Sequence, residues 1–559
     1  MKTTYQYDHY FLYQDIIDMC TSFVNDYPDL CSKETICITE KNREVIAMTL
    51  TNKNTGDPLD KPAFYMDANT HAGEITGNVV AMHMMDYLLT NYASNSTCKK
   101  ILDEYTVYVI PRITMDGSEV YLTSAYGLRS ADRDYNVQDS GIKQFDLDDD
   151  GVIRSMRIKN KHGAWKKDVL NENLMVEREP DDIDGEFYDV FVEGIMDNYN
   201  GVNLYQKKAE WGLDFNRNYP YGWYNEVRQS GAGYYPLSNP ENKAVVDFVL
   251  KHPNIGAVLT MHTSGGVLLY PPGTKHEKDG DPTDMKIYKT IGKMATKEMD
   301  YPCINIFDNF NKDQVFFPSG AFDDWCYQDQ GIFAYTMELW DLKKHIGKPV
   351  DWFNKEEPTI EDMMDTYNKM IKFSEENDLD AFKPWTKIDH PQFGEVEVGG
   401  FNHKFLLQNC PCKFLKEEVE KATKFSLRYL LALPKLNIED TTVTKLATNI
   451  YKVEAVVAND GYMPTYLSNE AKKLKKDESI KVTIENCKVL SKDKTIEIDS
   501  LGGYSLCDTS SSLYGNLQTT NRNDIACKVE WIIETGDDNI TIMAYNNKCG
   551  KVSKTVSLA

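Results

Sequence analysis

The chain has 559 residues, 41% of them hydrophobic, and a formal net charge of −24 at pH 7. At about 100–200 residues per domain this length predicts two to four domains, and the apolar content excludes wholesale disorder. The negative charge argues against nucleic acid and anionic membranes as partners, since the sequence has no convincing basic patch. No apolar run approaches the roughly 18 residues that a membrane span needs.

The N-terminal sequence and the cysteines bear on the compartment. The first ten residues lack the charged-then-apolar order of a secretory signal, so we expect a cytoplasmic protein, or a secreted one if a leader has been removed. The twelve cysteines include no CxxC pair, and Cys410 and Cys412 are the only close pair. This spacing predicts free, buried thiols in a reducing compartment.

The first part of the chain alternates strand and helix patterns. Apolar periodicity predicts helices at 10–27 and 74–92 and strands at 35–39, 44–52, 62–68 and 105–111. The order β-β-β-α-β predicts an α/β fold, with a mixed sheet flanked by helices.

Residues 134–205 are more polar and less periodic, which is typical of an insertion on the surface. Regular patterns then resume, with predicted helices at 239–252, 284–299 and 358–377 and predicted strands at 255–261 and 331–339. A proline-punctuated stretch at 382–393 ends the helical pattern.

Beyond about residue 436 the hydrophobic period changes from 3.6 to 2. The pattern predicts short strands at 450–457, 479–484, 495–498, 528–533 and 539–545, and hence an all-β sandwich of about 100 residues. We therefore divide the chain into an α/β domain at 1–385 that carries the 134–205 insertion, a connecting segment at 386–434, and a β-sandwich domain at 435–559.

Two motifs suggest a metal site. His71 and Glu74 lie three residues apart at the start of a predicted helix, so both side chains can reach one ion. His262 ends a buried strand, where sites collect in open α/β sheets. Two histidines and one glutamate with an open fourth position are typical of a catalytic zinc. The alternatives are a helix-start Glu stabilised by the helix dipole and a structural histidine.

Five motifs in order resemble the zinc carboxypeptidase A family. They are His71-Ala-Gly-Glu74, Pro111-Arg112-Ile-Thr-Met-Asp116-Gly117, Asp214-Phe-Asn216-Arg217-Asn218, His262, and Thr336-Met-Glu338-Leu339. Supporting matches are Pro236 to Glu241 before a helix and Asp324-Trp325 before Gly331. Together they span residues 5–345 and are highly specific.

The resemblance implies the family's fold, a mixed eight-stranded-type sheet flanked by helices, and a role for each matched position. The zinc ligands would be His71, Glu74 and His262, with Asp214 orienting a zinc imidazole, Glu338 as general base, Arg129 stabilising the oxyanion, and Asn216 with Arg217 binding the substrate's terminal carboxylate. Asp214 in an ordinary turn, Glu338 in an ion pair and Arg133 as the oxyanion arginine are the alternatives. A carboxyl that ends an apolar strand, as Glu338 does, is costly to bury without a partner or a role.

The sequence departs from the family pattern at two substrate positions. Phe316 stands where the family places a mobile tyrosine, and a phenyl ring cannot donate a hydrogen bond. Asp323 aligns with the base of the specificity pocket, where relatives that prefer Lys or Arg carry an acid. A plain surface Asp is the alternative reading of that position.

The insertion contains a candidate calcium loop. Asp146, Asp148, Asp150 and Gly151 match positions one, three, five and six of an EF-hand loop. Arg157 replaces the bidentate glutamate at position twelve, so a full EF-hand is absent. We expect a site for calcium or another hard cation here, with an ordinary acidic turn as the alternative.

The leading hypothesis is a zinc-dependent metallocarboxypeptidase that acts on the C-termini of peptides or proteins. One alternative is a peptidase for bacterial cell-wall peptides with the same fold. The other is a non-catalytic peptide-binding protein, which would have no need for the full set of zinc ligands, Glu338 and the arginines.

Overall fold

The computed structural model describes residues 4–136, 140–208, 211–311, 313, 315, 317–354, 356–491, 493–511, 518–521 and 524–558. Its α-helices are α1 (Tyr13–Asp26), α2 (Thr76–Asn91), α3 (Ser96–Glu104), α4 (Met115–Thr123), α5 (Pro240–Lys251), α6 (Pro282–Met299), α7 (Phe322–Asp324), α8 (Leu342–His345), α9 (Ile360–Glu376), α10 (Cys412–Leu430) and α11 (Asn469–Lys473). None of these helices is long and apolar enough to cross a membrane.

The main sheet is mixed and has eight strands, in the order β1-β2-β4-β3-β11-β14-β12-β13. Its strands are β1 (Cys31–Ile38), β2 (Glu44–Leu50), β3 (Ala63–Ala68), β4 (Thr106–Ile110), β11 (Ile255–Thr263), β12 (Val267–Tyr270), β13 (Cys303–Asn305) and β14 (Phe333–Leu339). The pairs β3–β4, β3–β11 and β11–β14 are parallel. This architecture confirms the predicted α/β class.

The sequences of the central strands are nearly continuous apolar runs, because helices cover these strands in the sheet. β3 and β11 are buried along their whole length, and α2 packs against both strands. In a parallel sheet the carboxyl ends of neighbouring strands meet at one edge. The residues that follow β3, end β11 and end β14 are therefore brought together.

The insertion is more ordered than its polar sequence predicts. Its strands are β5 (Gly141–Gln144), β6 (Ser155–Lys159), β7 (Trp165–Lys167), β8 (Met175–Glu177), β9 (Phe187–Val192) and β10 (Gly194–Asp197). β5 and β10 form a two-stranded sheet, while the other four join a six-stranded sheet with β15 (Phe382–His390) and β16 (Gly394–Phe401).

The proline-punctuated stretch after α9 is therefore a strand, where the sequence indicated a break. Pro384 is tolerated because β15 is the edge strand of its sheet, where one row of N–H groups has no ladder partner. The register with β16 also shifts between Lys383 and Thr386, at the proline.

Residues 386–434, which the sequence predicts to be a connecting segment, hold the end of β15, all of β16 and the helix α10. The helix α10 packs against α2 and α6. Its apolar residues, Leu415, Val419 and Phe425 among them, join the core of the main body.

The C-terminal region is all-β, as predicted. Two four-stranded sheets, β17-β18-β24-β20 and β21-β19-β25-β26, enclose a separate core around Trp531. The strands are β17 (Leu436–Ala447), β18 (Ile450–Asn459), β19 (Ile480–Glu485), β20 (Lys488–Val489), β21 (Thr495–Ile498), β24 (Ala526–Glu534), β25 (Asn539–Asn546) and β26 (Gly550–Ser557), with β22 (Asp508–Ser511) and β23 (Gln518–Asn521) forming a separate hairpin.

All twelve cysteine thiols are free. Six of them are buried, five are half-buried, and Cys412 is exposed.

Candidate active site

Three side chains that lie at or beyond the ends of two neighbouring strands converge on one point. His71 lies in the loop after β3, Glu74 precedes α2, and His262 lies near the end of β11. The Nδ1 atom of His71 lies 2.8 Å from Glu74 Oε1, and His262 Nδ1 lies 2.8 Å from Glu74 Oε2. The two Nδ1 atoms are 3.1 Å apart, and all three residues are buried.

This arrangement fits a zinc ion. Ligand atoms about 2.0–2.2 Å from a tetrahedral zinc stand a little over 3 Å from one another, close to the spacing of these three donors. Two imidazoles and one carboxylate are also the donor set of a catalytic zinc, which keeps an open position for water or substrate. His71, Glu74 and His262 are thus suited to hold the metal.

Asp214 and Arg129 form polar contacts with the residues of the triad. Asp214 Oδ1 lies 3.0 Å from His71 Nε2, and Arg129 donates to Asp214 Oδ2 from Nε (2.9 Å) and to Glu74 Oε1 from Nη1 (3.3 Å). Burial opposes ionisation of Asp214, but Arg129, Arg217 and His71 lower its pKa well below the usual range. An ionised Asp214 fixes the His71 ring with Nδ1 toward the metal point.

The charges around Glu74 keep it ionised. Burial alone would raise its pKa, but His71 and His262 lower the pKa below the ordinary value. The pKa of Arg129 is raised by Asp214 and Glu74 against the effect of burial. The site thus holds the ionised carboxylates of Asp214 and Glu74 beside the guanidinium of Arg129.

Glu338 is placed by strand register. In the parallel pair β11–β14, Glu338 lies directly opposite His262. Burial, and then the negative charge of Glu74, raise the pKa of Glu338 to about 8, while His262 and Arg129 act in the opposite direction. A carboxyl of this kind exchanges a proton near neutral pH.

These groups open into a cleft of about 210 Å³, lined also by Asn216 and Arg217. The side-chain oxygen of Asn216 accepts the N–H of Phe322 at 2.9 Å, which leaves its Nδ2 as a donor. Arg217 is half-buried, and its Nη1 donates to the Asn216 carbonyl at 2.6 Å. The pair offers neutral and cationic donors side by side.

Two adjacent carboxyls lie in the same cleft. Asp323 is buried, with Oδ2 accepting the Thr336 hydroxyl at 2.7 Å and Oδ1 accepting the Asp324 N–H at 2.8 Å. Asp324 accepts the Gly273 N–H at 3.0 Å, and burial together with Asp323 raises its pKa to about 7. This part of the cleft is therefore acidic.

Two further residues that the sequence singles out are Phe316 and Arg133. Phe316 is outside the described residues. Arg133, the alternative to Arg129, does not line the cleft: its guanidinium pairs with Glu241 and lies over the Phe215 ring.

The candidate calcium loop is only partly assembled as the sequence predicts. Oxygens of Asp146, Asp148 and Glu193 lie within 4.8 Å of one another. Asp150 pairs with Arg154 and Lys383, and Lys383 also pairs with Asp148. Burial, and then nearby charges that include Asp148 and Asp146, raise the pKa of Glu193 to about 7 although two backbone N–H groups oppose this.

Sequence reasoning did not assign Thr336 and Asp324 to the site. Thr336 precedes Glu338 by two residues in β14, so the two side chains project from the same face of the strand. Asp324 directly follows Asp323. The two-residue spacing of Thr336 and Glu338 and the adjacency of Asp323 and Asp324 can be read from the sequence. Only the fold shows that Thr336 and Asp324 line the cleft.

A comparison with protein families matches two parts of the chain. Residues 16–366 match the family described as zinc carboxypeptidase. Residues 435–557 match a family described as a domain of unknown function. Residues 367–434, which include α10, lie between the two matches and belong to neither.

Individual relatives are distant. The chain is 22% identical over 347 residues to carboxypeptidase O of Bos taurus, a match that covers 60% of this chain and 72% of that protein. It is 25% identical over 339 residues to carboxypeptidase B of Astacus astacus, covering 59% and 86%. Among solved structures, carboxypeptidase A of Helicoverpa armigera is 15% identical with a TM-score of 0.43, covering 77% of this chain and 76% of that one.

Proposed function

Because the chain belongs to the zinc carboxypeptidase family and is a zinc-dependent metallocarboxypeptidase, we propose that it hydrolyses the C-terminal peptide bond of peptides that end in Lys or Arg. The observation that carries the proposal is the meeting, in one cleft, of the metal triad, Glu338, a carboxylate-binding pair and two acidic side chains.

The metal and Glu338 would divide the bond-breaking chemistry. A zinc ion held by His71, Glu74 and His262 would supply Lewis acidity, which polarises the scissile carbonyl and lowers the pKa of water from 15.7 toward about 7. Glu338 accepts the proton of the attacking water and delivers it to the leaving amine. Its raised pKa favours both transfers near neutral pH.

Arg129 and Asp214 support this step. The Arg129 guanidinium lies beside Glu74 and lines the cleft, where it can donate to the oxygen of the scissile carbonyl as negative charge develops there. Asp214 holds Arg129 and His71 at once and so couples the orientation of the two groups.

Asn216 and Arg217 account for cleavage at the chain end. A guanidinium grips a carboxylate through two parallel hydrogen bonds, and the Asn216 amide adds a third donor. This contact selects substrates with a free terminal carboxylate.

Asp323 and Asp324 account for the side-chain preference. Among the described residues, the hydrogen bonds to these two buried carboxyls come from the Thr336 hydroxyl and from backbone N–H groups and none comes from a basic side chain, so their burial is costly. A cationic Lys or Arg side chain that enters the cleft would offset this cost, whereas an apolar side chain would not.

The test is mass spectrometry of a mixed peptide pool incubated with the purified protein. We expect stepwise release of terminal Lys and Arg, abolished by a chelator and by Glu338→Gln. In Asp323→Asn the preference for Lys over Leu should fall about tenfold or more. Asp329→Asn, which changes an acid outside the cleft, is the matched control.

Unchanged Lys preference in Asp323→Asn would contradict the assigned specificity while leaving the peptidase function intact. No release from any peptide by a protein that holds zinc would instead favour cell-wall peptides as substrates. A protein that neither holds zinc nor cleaves would be a peptide-binding protein.

Calcium binding by the insertion is a separate proposal. Asp146, Asp148 and Glu193 offer the carboxylate oxygens that a hard cation prefers. Calcium should raise the melting temperature of the wild-type protein more than magnesium does, and Asp146→Asn should remove the difference. If the melting temperature of Asp146→Asn still rises more with calcium than with magnesium, by as much as in the wild-type protein, the loop is an ordinary acidic turn.

A further inference from the structure

A second cavity, of about 510 Å³, lies where the six-stranded insertion sheet meets the main body. It shares no lining residue with the active-site cleft. Tyr121 and Gln408 line it on the side of the main body. The volume is within the range of small-molecule sites, about 300–1,000 Å³.

The outer wall of this cavity is aromatic. Trp165, Trp385 and Phe382 all line it. The Trp385 ring is fixed by a hydrogen bond from its Nε1 to the carbonyl of Asn173 at 2.9 Å. Phe382 packs edge-on against Phe401, with ring centroids 4.9 Å apart. Such a wall suits an apolar ligand body that is flat or elongated.

The charged groups that line the cavity have one sign. Arg154 and Lys404 are both buried, and no Asp or Glu is among the described residues that line the cavity. This is unusual in a chain with a net charge of −24. Lys404 Nζ donates only to the main-chain carbonyls of Tyr121 and Ser124 among the hydrogen bonds of the described residues, so no acid neutralises it directly.

Arg154 has an unused donor. Its Nη1 donates to Asp150 at 2.5 Å, but its Nε is buried and has no hydrogen-bond partner among the described residues. A buried donor without an acceptor is destabilising. The Nε atom is enclosed in this structure, so a ligand oxygen would reach it only after the Arg154 side chain turned toward the cavity.

We propose that this cavity binds a small apolar or aromatic monocarboxylate, with its apolar body against Trp165, Trp385 and Phe382 and its carboxylate at Arg154. The aromatic wall selects the body, and the two buried cations select the anionic head.

Calorimetric titration of the full-length, zinc-loaded protein with 4-phenylbutyrate tests the proposal, with the neutral 4-phenylbutan-1-ol as matched ligand. We expect saturable binding of the carboxylate, at least about tenfold tighter than the alcohol. Arg154→Gln should weaken carboxylate binding about tenfold and leave alcohol binding unchanged. Val190→Trp, which fills the cavity from β9, should abolish binding of both ligands.

Arg178→Gln is the control, because Arg178 belongs to the same insertion but does not line the cavity. It should bind both ligands as the wild type does. Peptide hydrolysis and the melting temperature without ligand report whether each variant is folded. The proposal is overturned if the wild type shows no saturable binding at millimolar carboxylate, or if folded Arg154→Gln or Val190→Trp binds it with wild-type affinity.

Discussion

At the scale of single residues, the chemistry of the cleft depends on which carboxyls hold a proton. Glu74 lies between two imidazoles, and its pKa is lowered. Glu338 faces Glu74 across the same site, and its pKa is raised to about 8. Two carboxyls with opposite shifts can divide the work, one as a permanent ligand and the other as a proton carrier.

Replacement of Glu338 separates these two roles. Glu338→Gln keeps the shape and the hydrogen-bonding capacity of the side chain but cannot accept the proton of water. We expect kcat to fall about 10²–10⁴-fold while the zinc content stays at the wild-type level. Steady-state kinetics on a peptide substrate and metal analysis of the same sample measure both. Loss of zinc in this variant would show that Glu338 acts mainly as a structural partner of the metal site.

At the scale of elements, the metal triad depends on how closely α2 approaches the sheet. Gly77 lies in the first turn of α2, where a β-carbon would stand 2.5 Å from Cβ of Met261 and 3.3 Å from Cβ of Ala68. Met261 precedes His262 in β11. The missing side chain therefore allows the helix that follows Glu74 to lie against the strand that carries His262.

Gly77→Ala should push α2 away from β11. We expect a loss of stability of about 1–3 kcal/mol from overpacking, together with weaker zinc binding. Thermal unfolding and competition with a chelator measure the two effects. Gly536→Ala is the matched control, because a β-carbon there meets no atom within 4 Å. Wild-type zinc affinity in a destabilised Gly77→Ala protein would mean that the triad tolerates movement of the helix.

At the scale of the whole molecule, one buried carboxyl joins the main body to the segment that connects β18 and β19 of the β-sandwich. Asp284 of α6 accepts the N–H groups of Asn469 and Glu470 at the start of α11, at 2.8 and 3.1 Å, and the hydroxyl of Tyr327 at 2.9 Å. Burial raises its pKa from 3.8 to about 6 in spite of these donors.

This shift predicts a pH dependence of stability. The folded protein binds the Asp284 proton more tightly than the unfolded chain, so the contribution is fully present below about pH 4 and is lost as the pH rises to about 6. The stability advantage of the wild type over Asp284→Asn should therefore shrink by about 2–3 kcal/mol between pH 4 and 6 and then stay constant. Melting temperatures of both proteins across this range measure it. A constant difference would mean that Asp284 is ionised in the fold throughout.

Much of the fold was predictable because the relevant signals are local. The alternation of period 2 beyond residue 436 predicted the all-β domain, and apolar runs such as Ile255–Met261 predicted buried strands. Other elements were missed. Pro384 obscured β15, because a proline is compatible with a strand only at the edge of a sheet, and edge position is not a local property.

The sequence by itself determined the family, through the order and spacing of its motifs, and named the metal triad, Glu338, Arg129, Asn216, Arg217 and Asp323, which the fold brings to one cleft. Only the tertiary structure decided which groups face one another. Register places Glu338 opposite His262, Glu193 rather than Asp150 approaches Asp146 and Asp148, and Arg154 meets the aromatic wall of the second cavity. The physical reason is that charge, burial and hydrogen bonding depend on distances between residues far apart in the chain, and packing alone sets those distances.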